Sequence, residues 1–288
     1  MSKKSLPQIP LGRFTISRLV LGDNTIHGGS HLTRFVGEEM KRYYTSQRIQ
    51  ELLIDCENEG INAWQSNFFL MDRFREHRAM GGNLQLITLG KEEPDCEAAM
   101  ARMVRLGGIG IAHHGELTDV LFREGKLDEI EDYLKKVRDS GMAVGVSTHI
   151  PDVIDYVESR GWDVDFYMAC VYERHRSREQ LQELLGYVPV PLKEVYLEED
   201  PPRMFAAICN TKRPCLAFKI LAAGRLCEKQ ETVEEAFRET FRQIKANDAV
   251  LVGMYPKFEN QVALNADYVR QFSKLSKPVK NPKKKRAK

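Results

Sequence analysis

The sequence predicts an α/β fold, a single (β/α)8 barrel, on three observations. Eight β-rich runs recur along the 288 residues, each mostly apolar through its body and polar at its C-terminal end. Helical patterns separate them, the arrangement of a parallel sheet covered on its outer face. The hydrophobic share of 42% can fill such a core, and barrels of this kind run to about 250 residues.

In chain order, the opening PLGRFTI reads as a short strand or hairpin able to cover the barrel bottom. RLVLGDN (18–24) is the first barrel strand. Thr45 then caps a helix with the apolar face Ile49, Leu52, Leu53 and Cys56, ended by Gly60. INAWQSN (61–67) and LQLITLG (84–90) follow, with Pro94 opening the next helix. After GIGIAHHG (108–115), the stripe Leu127, Ile130, Leu134, Val137 predicts a helix stopped at Gly141. AVGVSTH (143–149) leads into a helix begun by Pro151, and VDFYMACVY (164–172) precedes one begun by Pro201. CLAFKILAAG (215–224) is followed by TVEE, in which Thr232 and Glu235 predict a capping box ahead of Ala236, Phe237, Phe241 and Ile244. AVLVGMY (249–255) is the eighth strand. The barrel is expected over 1–276 and a disordered Lys-rich tail over 277–288.

The net charge of +2 resides in that tail, whose six Lys and one Arg carry seven positive charges and leave the body at −5. A mildly acidic body argues against nucleic-acid binding, which needs a basic face. The tail reads as a solvated end, a nuclear address (PKKKR), or a loose attractor of polyanions. No apolar run suits a membrane span or secretory signal, so a cytoplasmic protein off the membrane is expected. Its six cysteines form no C-x-x-C pair and read as reduced, mostly core residues; Cys170 alone is placed near a strand end.

Five segments, LGRFTISRLVLG (11–22), GIN (60–62), GVS (145–147), FKILAAGRL (218–226) and ENQVALNADYV (259–269), resemble the aldo-keto reductases, in the same order. The resemblance implies an eight-stranded barrel and carbonyl reduction by NAD(P), with an aspartate, tyrosine, lysine and histidine at the reacting carbonyl. The first three positions correspond here to Gln65, Leu70 and Leu89, and only the histidine survives, as His113. An oxyanion formed by hydride delivery needs a proton from an acid of lowered pKa. Leu70 has no proton, and Gln65 and Leu89 cannot lower a pKa, so the usual reduction is not expected. For the cofactor, the resemblance assigns Phe218 to stacking on nicotinamide, with Lys219 replacing a small hydroxyl residue. Gln261 replaces the arginine that holds a 2′-phosphate, and Asn265 keeps its spacing. NAD(P) binding in altered form stays open, and no other cofactor is implied.

Barrel enzymes gather their chemistry at the C-terminal strand ends. Read in order, those ends supply Asp23, Asn24 and His27, then Gln65 and Asn67, then His113 and His114. His149, Tyr172, Glu173, His175, Lys219 and Tyr255 complete the ring, which holds five of the seven histidines. His113 is expected as proton shuttle, Lys219 as a clamp on negative charge or a Schiff-base nucleophile, and His149 and Asp23 as assisting groups. Asn24, Gln65, Asn67, Tyr172 and Glu173 are expected to bind substrate. Strand alternation puts His114 opposite His113, in a structural role. Asp23, His27, His113, His149 and His175 are metal-ligand types without ligand spacing, and no metal site is assigned. The function expected is a lyase or isomerase type of acid/base enzyme on a small carbonyl or sugar-like metabolite. Two alternatives remain: an NAD(P)-dependent oxidoreductase with Tyr172 as substitute acid, and a non-catalytic ligand-binding barrel. Substrate identity and oligomeric state are left open.

Overall fold

A computed structural model describes residues 5–91, 96–190 and 194–279. Pro94 and residues 280–288, most of the expected tail, lie outside the described residues.

Gln8–Leu11 (β1) and Phe14–Ser17 (β2) pair antiparallel as a hairpin. Its Ile9, Leu11 and Ile16 are buried with Val20, Ala63, Ile87, Phe166 and Leu216 from inside the barrel, so the hairpin plugs the bottom as expected. Eight parallel strands follow: β3 (Leu19–Gly22), β4 (Ala63–Gln65), β5 (Gln85–Gly90), β6 (Gly110–His113), β7 (Ala143–Thr148), β8 (Phe166–Cys170), β9 (Cys215–Phe218) and β10 (Ala249–Gly253). They close in sequence order, with β10 against β3. Each lies inside one of the eight apolar runs. The run from Cys215 is strand only to Phe218, because Lys219 turns to φ +59°.

The helices are α1 (Arg34–Tyr43), α2 (Ser46–Asn58), α3 (Met71–Ala79), α4 (Cys96–Arg105), α5 (Gly115–Arg123), α6 (Glu131–Asp139), α7 (Pro151–Arg160), α8 (Arg178–Leu185), α9 (Asp200–Asn210), α10 (Gln230–Gln243) and α11 (Gln261–Phe272). Thr45 caps α2 by accepting from the Arg48 amide, and Pro151 and Pro201 lie in the first turns of α7 and α9. The capping box at Thr232 is corrected: α10 starts three residues earlier, behind Lys229, and the Thr232 hydroxyl bonds the Leu226 and Lys229 carbonyls. A capping box does form at Ser177 and Gln180, ahead of α8.

Strand alternation divides the core in two. Ile111, Val144, Val146, Tyr167 and Ala217 pack outward under the helices, whereas Ala112, Met168, Leu216 and Leu251 fill the interior. Small residues face inward where large ones oppose them. A Cβ on Gly145 would lie 2.4 Å from Phe166 Cζ, in a ring that is itself fully buried. Gly145→Ala is expected to cost about 1–3 kcal/mol by overpacking, read as a lower urea midpoint. An unchanged midpoint would show that the Phe166 ring can yield.

Candidate active site

The C-terminal strand ends surround a cavity of about 600 Å³. Eight of the residues expected from the sequence line it: Asp23, Asn24, Gln65, Asn67, His149, Phe218, Lys219 and Gln261.

Asp23 follows β3 and is nearly fully buried; its Oδ2 accepts from the Asn67 amide (2.7 Å) and from Asn67 Nδ2 (2.8 Å). Burial raises its pKa above the usual carboxylate range, against the pull of those bonds and of His27. Asn24 lies 3.2 Å through Nδ2 from His31 Nε2. Gln65, the last residue of β4, has a buried Nε2 with no hydrogen-bond partner among the described residues.

His149 follows β7, and its Nδ1 donates to Asp119 Oδ2 at 2.7 Å. Asp119, on α5, also accepts from Thr148 Oγ1 (2.6 Å) and from the His149 amide (3.2 Å). The imidazole is thereby locked in the Nδ1–H tautomer, leaving Nε2 as acceptor on the cavity side. Burial lowers the His149 pKa although Asp119 pulls it upward, so the ring is neutral at neutral pH. Phe218 and His175 meet the ring edgewise at 5.6 and 5.3 Å.

Lys219 sits one residue beyond β9, where the Phe218 carbonyl accepts from the Val171 amide (3.1 Å) and ends the ladder. Its φ of +59° is followed by +47° at Ala222 and +52° at Ala223. Each left-handed non-glycine residue costs about 1–3 kcal/mol and persists only where the surroundings impose it. The turn is imposed by the Ala222 amide on the Lys219 carbonyl (2.8 Å) and the Gly224 amide on Leu221 (2.9 Å).

Four expected residues are placed elsewhere. His113 is corrected most sharply. It shares the outward phase of Ile111; Thr118 Oγ1 donates to the His114 carbonyl (3.0 Å) and accepts from His113 Nδ1 (2.7 Å). Its ring meets Tyr133 at 5.5 Å, under the helices, and His114 and Gly115 line the cavity instead. The reason is congestion: Gly110 and Ala112 are the β6 residues small enough to face the interior beside Phe166. Glu173 is committed to Arg176 (3.3 Å) and Arg203 (2.8 Å) in an ion cluster with Asp200. Tyr172 packs on Tyr196 at 5.0 Å, outside the lining, and burial raises its pKa, the wrong direction for a proton donor. Asn265 is buried in α11, away from the lining.

Sequence reasoning missed Asp119, Arg174, Glu116, Glu194 and His31. Arg174 is buried, bonds Glu116 (2.9 Å) and Glu194, and lines the cavity. Glu116 is held down to about 2 by His175 and, against its partial burial, by Arg174. His31 reaches Glu194 Oε1 (3.0 Å) and lines the cavity with His27. Asp119 is buried on α5 beside Gly115 and Thr118, and no sequence motif marked it out.

The cofactor positions divide: Phe218 and Gln261 line the cavity and Asn265 does not. The Phe218 ring is covered edgewise by His149, Gln261 Oε1 accepts from the Tyr255 amide (2.7 Å), and Asn265 lies elsewhere. Among the described residues, no three His, Cys, Asp or Glu side chains converge as metal ligands, and no helix is long and apolar enough to cross a membrane.

No protein-family model and no curated protein matches the chain. Solved structures do. A truncated 3-deoxy-D-arabino-heptulosonate 7-phosphate synthase from Thermotoga maritima is similar at TM-score 0.54 and 12% identity, over 94% of this chain and 92% of that one. A glycerol dehydrogenase from Gluconobacter oxydans is similar at 0.49 and 13%, over 96% and 98%. An aldo/keto reductase from Brucella melitensis is similar at 0.47 and 12%, over 94% and 100%. At such identities the likeness shows the (β/α)8 fold alone, and one fold hosts many chemistries.

Proposed function

We propose that this barrel is an enzyme that moves a proton at a carbon beside a carbonyl in a small oxygenated metabolite, a lyase or isomerase type of reaction. The observation that carries the reading is the buried Asp119–His149 pair (2.7 Å) opening on the same cavity as Lys219. His149, rather than His113, takes the part of proton shuttle. Its Nε2 withdraws the carbon-bound proton, and Asp119 stabilises the imidazolium that results. Negative charge developing on the carbonyl oxygen is opposed by Lys219, whose pKa is brought down to about 8 chiefly by burial. Gln65 lines the cavity beside Asp23, which is held by Asn67 and accepts from a substrate hydroxyl. The volume suits a sugar-sized molecule.

The test is deuterium incorporation from heavy water beside the carbonyl of small aldoses, ketoses and hydroxyketones, followed by NMR. At least one compound is expected to exchange, isomerise or cleave about 100-fold faster with the native protein than with Asp119→Asn. If every compound behaves alike with both proteins, the acid/base reading fails and a ligand-binding barrel is left.

A further inference from the structure

Lys219 differs from the other charged groups of the cavity. Arg174 is paired with Glu116 and Glu194, and His149 with Asp119, whereas Lys219 makes no ion pair among the described residues. A cation meant only to balance charge would hold a carboxylate; this one is left facing the cavity. Its stem leaves the strained turn after β9, and it lines the cavity together with Phe218, Ile220 and Leu221. The acid/base pair His149 lies against the neighbouring Phe218 ring.

We infer that Lys219 is a covalent catalyst whose amine forms an imine with the carbonyl carbon of a small aldehyde or ketone. The inference rests on the acid/base reading above and specifies how the negative charge is taken up. The neutral amine nitrogen bonds to the carbonyl carbon, and a proton passes from nitrogen to oxygen through His149 Nε2. His149 then takes up a proton from solvent and passes it to that hydroxyl, the carbon–oxygen bond breaks with its electron pair, water leaves, and a protonated imine remains. That cation draws the electron pair of the adjacent C–H bond when His149 removes the proton, giving an enamine. Reprotonation and addition of water restore the amine, with no net oxidation or reduction.

Nucleophilic attack needs the unprotonated amine. Burial, helped by Arg174, brings Lys219 to about 8, while Cys170 on β8, Glu194 and Glu116 pull the other way; His31 also faces it. Amine reactivity is therefore expected to fall about tenfold for each pH unit below 8 and to level off above it.

The experiment treats the full chain with 2,4-pentanedione, a small 1,3-diketone that condenses with amines to a stable, absorbing enaminone, and maps the product by peptide mass. Lys219 is expected to react about 100-fold faster than the other lysines at neutral pH. Reaction of Lys219 no faster than the others overturns the proposal. Lys219→Arg keeps a cation but cannot form the imine, so its deuterium exchange is expected to drop about 100-fold or more. Exchange retained within tenfold identifies a charge clamp and overturns the imine while the acid/base reading stands. Absence of exchange in the native protein sinks the acid/base reading, and the diketone arm still decides the reactivity of the amine.

Discussion

His149→Asn is expected to lower deuterium exchange by about 100- to 10,000-fold in a protein that remains folded, the usual contribution of a positioned general base. Asparagine has no titrating nitrogen, so the proton has nowhere to go, whereas the Asp119 carboxylate keeps the Thr148 hydroxyl and the residue-149 amide as donors. Asp119→Asn tests the same pair from its other side. The amide keeps the shape, but it can accept or donate and no longer enforces the Nδ1–H tautomer, and it cannot stabilise the imidazolium. Both variants should shift kcat far more than KM, because neither group is asked to hold the ground state. The comparison protein is His113→Asn. His113 is fully buried on the helix side with Thr118, so its loss is expected to reduce stability by about 1–3 kcal/mol and leave exchange by the folded fraction unaltered. A reversal of that pattern, with exchange lost in His113→Asn and kept in His149→Asn, would overturn the assignment.

The largest effect on stability is expected at the opposite end of the barrel. Asp248 precedes β10, is fully buried, and accepts from the Lys245 ammonium (2.8 Å), the Lys245 amide (2.6 Å) and the Cys215 amide (2.9 Å). Lys245 is buried as well, and Arg18 ties the same corner together through the Asp248 and Lys245 carbonyls (2.7 and 2.9 Å) and Ser273 (2.9 Å). Asp248→Ala leaves an ammonium without its counter-charge and is expected to cost about 3–5 kcal/mol, measured as the shift in urea unfolding. Replacing Lys245 by Met in the same protein removes the stranded charge and should recover part of the loss. If the double variant is no more stable than Asp248→Ala, the penalty comes from the lost backbone acceptor instead. Exchange chemistry should survive in either, since the bottom of a barrel carries stability and the top carries the reaction.

Some of the site was legible because it depends on position along a strand. Asp23, Asn24, Gln65, Asn67 and Lys219 follow or end apolar runs, and a parallel barrel delivers such residues to one cavity. His113 was misplaced because a strand end carries two phases, and HH at 113–114 offers a histidine to each. The neighbouring small residues Gly110 and Ala112 already pointed to the interior phase, one that continues to His114. Glu173 and Tyr172 failed for another reason. They lie beyond the last rung of β8, where the backbone no longer alternates and local partners decide direction, in this case Arg176 and Arg203 for the one and Tyr196 for the other.

The alternation of apolar runs with capped helices was sufficient by itself to specify eight parallel strands, their order, the plug at the bottom and the end at which polar groups gather. These follow from hydrophobic burial and backbone hydrogen bonding, which are written locally in residue periodicity. Which histidine enters the cavity, which carboxylate stands behind it and which cavity cation makes no ion pair among the described residues were decided only by the tertiary structure. Asp119 and His149 are 30 residues apart and Arg174 and Glu116 are 58 apart, and pairing energies at those separations depend on distance and desolvation after folding.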